Sequence, residues 1–457
     1  MQEPVLTGEL HGVYQSPVRT GSHRGLPRTY LPMRFAYVLL TYLLSPLYAL
    51  YWIFRGFANR SYWDRLDQRL GMGYPVLSKG SIWIHAVSVG EVQATVPLVR
   101  ALQDRFPERQ LLITTVTPTG AARVLSLFRG QVAHCYIPFE IPLAVRNFFN
   151  SIKPVLALIM ETEIWPNLYD ACGSREIPLI LVSARISPRS VGRYRRFLPL
   201  FRETLSHGIV IAAQSEADAD RFRSLGAAPE RTWVTGNIKF DFEQPAGLES
   251  QGAAFRKQNF PDRPVWVAAS THDKEEEQVL AAHRQLLQEI PEALLILVPR
   301  HPERTGTVKA LLRRKEFKYI SRTDERPCPK DTGVFLGDTM GELPMFYAAS
   351  DIAFVGGTLV PIGGHNLLEP AALGLPVVTG PHLFNTQDIA NMFSELGASV
   401  QVQNSTELAD ALGKLFCDRG EAEKMGSKGR TIVTKNRGAL RRLLELMEPL
   451  ISEVQNG

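Results

Sequence analysis

Between Ser81 and Asp241, short apolar runs alternate with segments whose apolar residues recur every three or four positions. The runs Ile82–Val87, Gln110–Val116, Val132–Ile137, Val155–Met160, Leu179–Ala184 and Ile209–Ala213 have the length and composition of buried strands. Amphipathic helical patterns lie between them. Such alternation predicts a parallel sheet covered on both faces. It breaks over residues 242–262, where Gln244, Pro245, Gly247, Ser250, Gly252 and Pro261 read as a linker. It then resumes with strands at Val265–Ala269, Leu294–Val298, Tyr319–Ser321, Val334–Gly337, Ile352–Val355 and Val377–Thr379, and with helices such as Lys274–Gln288. The pattern thus predicts two doubly wound α/β domains, 60–241 and 263–436. Their strand ends would face a cleft, the usual ligand position in such folds. Residues 437–457 form a closing helix with Leu440, Leu443, Leu444, Met447, Leu450 and Ile451 at helical spacing. It packs either on its own domain or back on the first.

The opening of the chain is different. Residues 1–34 are rich in Gly, Pro, Arg, Ser and His and lack periodicity, as a disordered tail would; a misassigned start codon is the alternative. Phe35 to Phe54 then runs without Asp, Glu, Lys or Arg. At helical rise twenty residues span about 30 Å, enough for a bilayer core. Tyr37, Tyr48, Tyr51 and Trp52 suit its interfaces, with Arg34 and Arg55 at the ends. The expectation is an N-terminal membrane anchor at 35–54, spanning or, given Pro46 and the tyrosines, lying in the surface.

Composition narrows the partners. The chain has 457 residues, 45% hydrophobic, with a net charge of +5. That mild excess suits a membrane surface or an anionic substrate, and no nucleic-acid signature accompanies it. The cysteines Cys135, Cys172, Cys328 and Cys417 are far apart and read as structural thiols. No metal-ligand spacing, P-loop or dinucleotide glycine fingerprint occurs, so neither a metal site nor a redox cofactor is expected.

Candidate chemistry sits where strands end. After the first strand, Ser88 and Gly90 supply a cap and a turn, and Glu91 falls in the first helical turn, where the dipole favours an ionised carboxylate able to accept a proton. Simple complementation of the dipole explains the same letters. Glu161 and Glu163 close another strand and share a side if the backbone stays extended. The arginine-rich stretch Arg185, Arg189, Arg193, Arg195 and Arg196 suits anionic lipid or a solvated face. Asp218 and Asp220 look solvated. In the second half Arg300 follows Pro299 at a strand end and suits phosphate. The turn Gly337-Asp338-Thr339-Met340-Gly341-Glu342 offers backbone N–H groups to an anion, or is a plain cap formed by Asp338 or Thr339. Glycine pairs at 356–357 and 363–364 allow close backbone approach, and Asn366 and Glu369 can bond a ribose or a base edge.

Taken together, His85-Ala86-Val87-Ser88-Val89-Gly90-Glu91, Met160-Glu161-Thr162-Glu163-Ile164-Trp165-Pro166-Asn167, Val298-Pro299-Arg300-His301-Pro302-Glu303-Arg304, Gly337-Asp338-Thr339-Met340-Gly341-Glu342-Leu343 and Gly363-Gly364-His365-Asn366 resemble the Kdo (3-deoxy-D-manno-octulosonic acid) transferases of lipopolysaccharide assembly. The resemblance covers roughly residues 35 to 450. It implies a GT-B fold, a cell inner-membrane anchor with cytoplasmic catalytic domains, CMP-Kdo as donor and a lipid A precursor such as lipid IVA as acceptor. It places the catalytic base at Glu91. It places nucleotide contacts at Pro299, Arg300, Met340, Gly341, Glu342, Asn366, Leu367, Leu368 and Glu369, where Leu367 stands in place of a proline common in relatives. A UDP-sugar transferase or epimerase of the same fold, and a non-catalytic nucleotide-binding scaffold, are the rival readings.

Overall fold

The computed structural model describes residues 31–77, 80–206 and 208–455. Most of the expected tail, residues 1–30, lies outside them. The chain divides into two compact units, one of residues up to Phe242 together with Arg437–Gly457, the other Glu243–Asn436.

The N-terminal unit is built on seven parallel strands: β1 Ile82–His85, β2 Leu111–Thr115, β3 Ala133–Tyr136, β4 Leu156–Met160, β5 Leu179–Ala184, β6 Val210–Ala213 and β7 Thr232–Val234. Their order is β3-β2-β1-β4-β5-β6-β7. The strands are mostly apolar because both faces are covered. Successive side chains point to opposite sides: Trp83, Leu112, Ala157 and Leu181 enter one core layer, whereas Ile84, Ile113, Leu158 and Ile180 enter the other. A bulge at Ser183 (φ 50°) shifts the register of β5 against β6, so Ala184 rejoins the layer of Leu181. The short β7 was too polar to stand out in the sequence.

The closing helix, Ala439–Gln455, belongs to this first unit. Leu443, Leu446, Met447 and Leu450 complete the core layer containing Ile84. Asp241 caps its start, accepting from the N–H groups of Gly438 (2.6 Å) and Leu440 (2.7 Å).

The N-terminal helix is longer than the apolar run: Leu31–Ala58, with Pro46 inside it. Among the described residues its segment Pro32–Ala58 is the one helix long and apolar enough to cross a membrane. One stripe packs on the unit. Arg34 pairs with Asp170 at 3.1 Å, Tyr48 meets Phe139, and the Arg69 guanidinium lies between the rings of Trp52 and Tyr136. Arg34 thus anchors the helix to the unit instead of ending it. The opposite stripe, including Phe35, Leu43, Leu47 and Phe54 with Tyr42 among them, is exposed and largely apolar.

The C-terminal unit carries β8 Val265–Thr271, β9 Leu294–Pro299, β10 Tyr319–Ser321, β11 Val334–Leu336, β12 Ile352–Val355, β13 Val377–Thr379 and β14 Ser399–Gln401, in the order β10-β11-β9-β8-β12-β13-β14. The segment expected as a linker, 242–262, contains a helix, Leu248–Asn259. Gly252 is there for contact, since a Cβ would fall 2.6 Å from the backbone of Ala348. Arg256 forks onto Asp351 (2.7 and 2.9 Å), whose carboxylate also takes the N–H of Val265. Glycine and serine, read as signs of a loop, serve close packing and helix entry instead.

Candidate active site

In the N-terminal sheet the chain runs outward from β1 to β3, then returns to the other side of β1 as β4. The carboxyl ends of β1 and β4 therefore border a topological switch point, where open α/β sheets bind ligands. Glu91 follows β1. Ser88 caps the helix Val89–Ala94: its Oγ accepts the Glu91 N–H (3.3 Å) and its hydroxyl donates to Glu91 Oε1 (2.8 Å). The Val87 N–H donates to Oε2 (2.8 Å). The dipole argument predicts an ionised group, but burial outweighs it. Burial, assisted by the negative charge of Glu161, pushes the Glu91 carboxyl up to about 7.

Two more carboxylates follow β4. Glu161 has φ 57°, so the backbone is not extended and the two acids do not form a paired face. Burial pushes Glu161 upward, but Lys239 and Arg185, each at 2.8 Å, hold it below the ordinary carboxylate range. Arg185 is thus drawn out of the cationic stretch into the site; Arg189, Arg193, Arg195 and Arg196 remain exposed. Burial raises Glu163, partly offset by the Trp165 indole N–H donating at 2.5 Å. Trp165 meets the buried ring of His85 edge-on. Lys239 went unnoticed in the sequence because it reaches Glu161 from 78 positions away. Asp218, expected in solvent, is buried: it accepts the Ile186 N–H (3.1 Å) and pairs with Arg221 (2.8 Å).

The C-terminal sheet has its own switch point, between β8 and β12. Glu275, after β8, is fully buried. Its carboxylate accepts the N–H groups of Gly357 (2.7 Å), Thr358 (3.0 Å) and Leu359 (2.9 Å), fastening the glycine loop after β12. His272 and His365 stack with their Nε2 atoms 2.7 Å apart. One ring must donate and the other accept, which requires at least one neutral ring. Burial lowers His272 to about 4 and His365 to about 3, with Arg300 and His301 adding repulsion. Arg300 follows β9, its N–H bonded to the Thr271 carbonyl (2.9 Å). Its charge also acts on Glu369, which burial raises.

Asn366 turns the chain by accepting the Leu368 N–H (2.9 Å) and donates to Glu369 Oε1 (3.0 Å). Leu367 and Leu368 are core side chains, so only their backbone is available to a ligand. After β11, Asp338 is no helix cap: it binds Thr323 and Lys309. Thr339 donates to Glu342, which Arg322 grips through Nε and Nη2. Met340 is exposed and Gly341 has φ 85°, a left-handed turn natural for glycine. The structure therefore groups Arg300, Asn366 and Glu369 with His272, His301 and His365. Residues 340–342 lie in the turn that follows β11, the strand beside β9. The sequence offered little sign of His272 and Glu275, which lie outside any glycine motif. Among the described residues no cluster of three or more His, Cys, Asp or Glu is placed to hold a metal.

Comparison with known proteins is consistent across both units. Residues 64–242 match the family model "3-Deoxy-D-manno-octulosonic-acid transferase (kdotransferase)", and residues 255–432 match "Glycosyl transferases group 1". A 3-deoxy-D-manno-octulosonic acid transferase of Haemophilus influenzae is 40% identical over 92% of this chain and 99% of its own length. One from Bordetella pertussis is 35% identical over 83% of this chain and 90% of its own. The solved structure of S. aureus MnaA with UDP, 15% identical, aligns with a TM-score of 0.51 over 82% of this chain and 97% of that one, a likeness of GT-B fold alone. With relatives matched nearly end to end, and carboxylates and cations at two switch points, this chain belongs to the 3-deoxy-D-manno-octulosonic acid (Kdo) transferase family of glycosyltransferases.

Proposed function

We propose that this enzyme transfers Kdo from CMP-Kdo to a lipid A precursor such as lipid IVA, with inversion, at the cytoplasmic face of the inner membrane. One observation carries the reading: Glu91, at a strand-end switch point, has its basicity raised to about 7. A carboxylate of that strength is matched to removing a hydroxyl proton near neutral pH.

In the reaction, the acceptor O–H gives its proton to Glu91 while its oxygen bonds to the anomeric carbon of Kdo. The bond from that carbon to the CMP phosphate oxygen breaks, and its electron pair leaves with CMP. Charge develops on the phosphate as it departs. Arg300 and the amides of Met340 and Gly341 stabilise that charge, with no metal ion taking part. Asn366 and Glu369 hold the cytidine ribose or base, with Pro299, Glu342 and the backbone of Leu367 and Leu368 shaping the pocket. Lys239 and Arg185 keep Glu161 ionised, and that charge keeps Glu91 a strong enough base. The exposed apolar stripe of the N-terminal helix supports membrane attachment.

Glu91→Gln preserves shape and removes the base. Turnover of CMP-Kdo with lipid IVA should fall by about two to four decades, with CMP binding unchanged. Wild-type kcat/KM should rise with pH through about 7, as the raised carboxyl loses its proton, and the variant should lose that limb. A variant with normal turnover removes Glu91 from the mechanism. Competition by CMP but not UDP separates this reading from a UDP-sugar enzyme.

A further inference from the structure

A pocket of about 320 Å³ lies in the N-terminal unit, between the helix Leu31–Ala58 and the loops that follow β3 and β4. Leu44, Phe139, Ile141 and Ile164 make it largely apolar, and Trp165 closes the end toward Glu163. It has roughly twice the volume of an engineered cavity that admits benzene, room for about a dozen carbon atoms. Leu44 both lines it and is half exposed at the edge of the outward stripe, beside Leu43 and Leu47, so the pocket's rim meets the surface proposed to face lipid.

Its polar lining is the hydroxyls of Tyr37, Thr41, Ser45 and Tyr48 and the carboxylate of Glu140. Oε1 accepts the N–H of Asn167 at 2.6 Å. Oε2 is buried and accepts no hydrogen bond of good geometry among the described residues, although the Tyr37 hydroxyl and the Arg34 guanidinium act on the same carboxylate. An unpaired buried acceptor is costly and marks the place for a donor. Burial also pushes the Glu140 carboxyl up to about 7.

We propose that this pocket takes one acyl chain of the lipid acceptor, with a hydroxyl or amide hydrogen of that chain bonded to Glu140. The inference rests on the lipid-acceptor reading above and deepens it. The chain would enter along the helix, and Trp165 would be the wall separating it from the carboxylates. Through Trp165 and Glu163 the pocket adjoins the group that acts on Glu91. Anchoring one chain there would hold the acceptor hydroxyl near the base, the positioning that makes a bimolecular step effectively unimolecular.

Two measurements on the full-length enzyme in anionic phospholipid vesicles test this. The first uses lipid IVA carrying a photoreactive diazirine on one acyl chain. Labels should fall on residues 139–141, 164–165 and the inward positions Thr41 and Ser45. Labelling confined to outward positions such as Leu43 and Leu47 overturns the proposal. The second compares acceptors with full-length chains and with chains cut to about four carbons. Ser45→Phe should lower the long-to-short ratio of kcat/KM about tenfold, as excluding roughly two buried methylenes would. An unchanged ratio overturns the proposal. Should the wild-type enzyme glycosylate neither acceptor, the functional reading fails, while the photolabelling still decides the pocket.

Discussion

The two units share an architecture and differ in the side chains gathered at their switch points. Each is a seven-stranded parallel sheet with helices on both faces and a switch point at its strand ends. The N-terminal switch point gathers carboxylates: Glu91, Glu161 and Glu163. The C-terminal one gathers Arg300, three histidines and a glycine loop held by buried Glu275. The sheet thus fixes where chemistry takes place, and the few residues after each strand fix its sign. An acidic set suits taking a proton from an alcohol, and a guanidinium among neutral imidazoles suits receiving a departing phosphate.

That contrast can be broken at three places. The largest effect is expected from Glu275→Ala, which leaves three buried N–H groups of the glycine loop without an acceptor. Losing a buried, multiply bonded carboxylate costs about 3–5 kcal/mol. The C-terminal unit should melt earlier by calorimetry, and CMP affinity should be lost. Next comes Arg300→Ala, which removes the guanidinium from the cationic set. A charge-assisted contact is worth about 1.5–3 kcal/mol, so KM for CMP-Kdo should rise by roughly ten- to a hundredfold. The histidine pair should also become more basic, visible as an upfield-to-downfield NMR titration at higher pH. The smallest effect sharpens the acidic side. Glu161→Gln removes a negative charge that raises Glu91, so the acidic limb of the pH–rate profile should move to lower pH by a fraction of a unit. A shift to higher pH shows that Glu161 does not act on Glu91 through its charge.

Legibility followed the range of the interaction. Twelve of the strands were visible because each is a mostly apolar run with at least half of its residues buried, whereas β7 Thr232–Val234 and β14 Ser399–Gln401 are only partly buried. Arg300, Asn366 and Glu369 were visible as motif letters, and the structure brings them together. Glu161 and Glu163 were visible too, but the cations held by Glu161 were not, because Lys239 and Arg185 arrive from other strand ends.

The sequence by itself determined the two sheets, the positions of their ends and the presence of a caps-and-turns chemistry there, since period, length and turn residues are local properties. Only the tertiary structure decided the upward shift of the Glu91 carboxyl, the fastening of the glycine loop by Glu275, the return of the closing helix to the first unit and the packing of the N-terminal helix along it. Each of those depends on burial or on a partner distant in the chain, and neither quantity is written in any single stretch of residues.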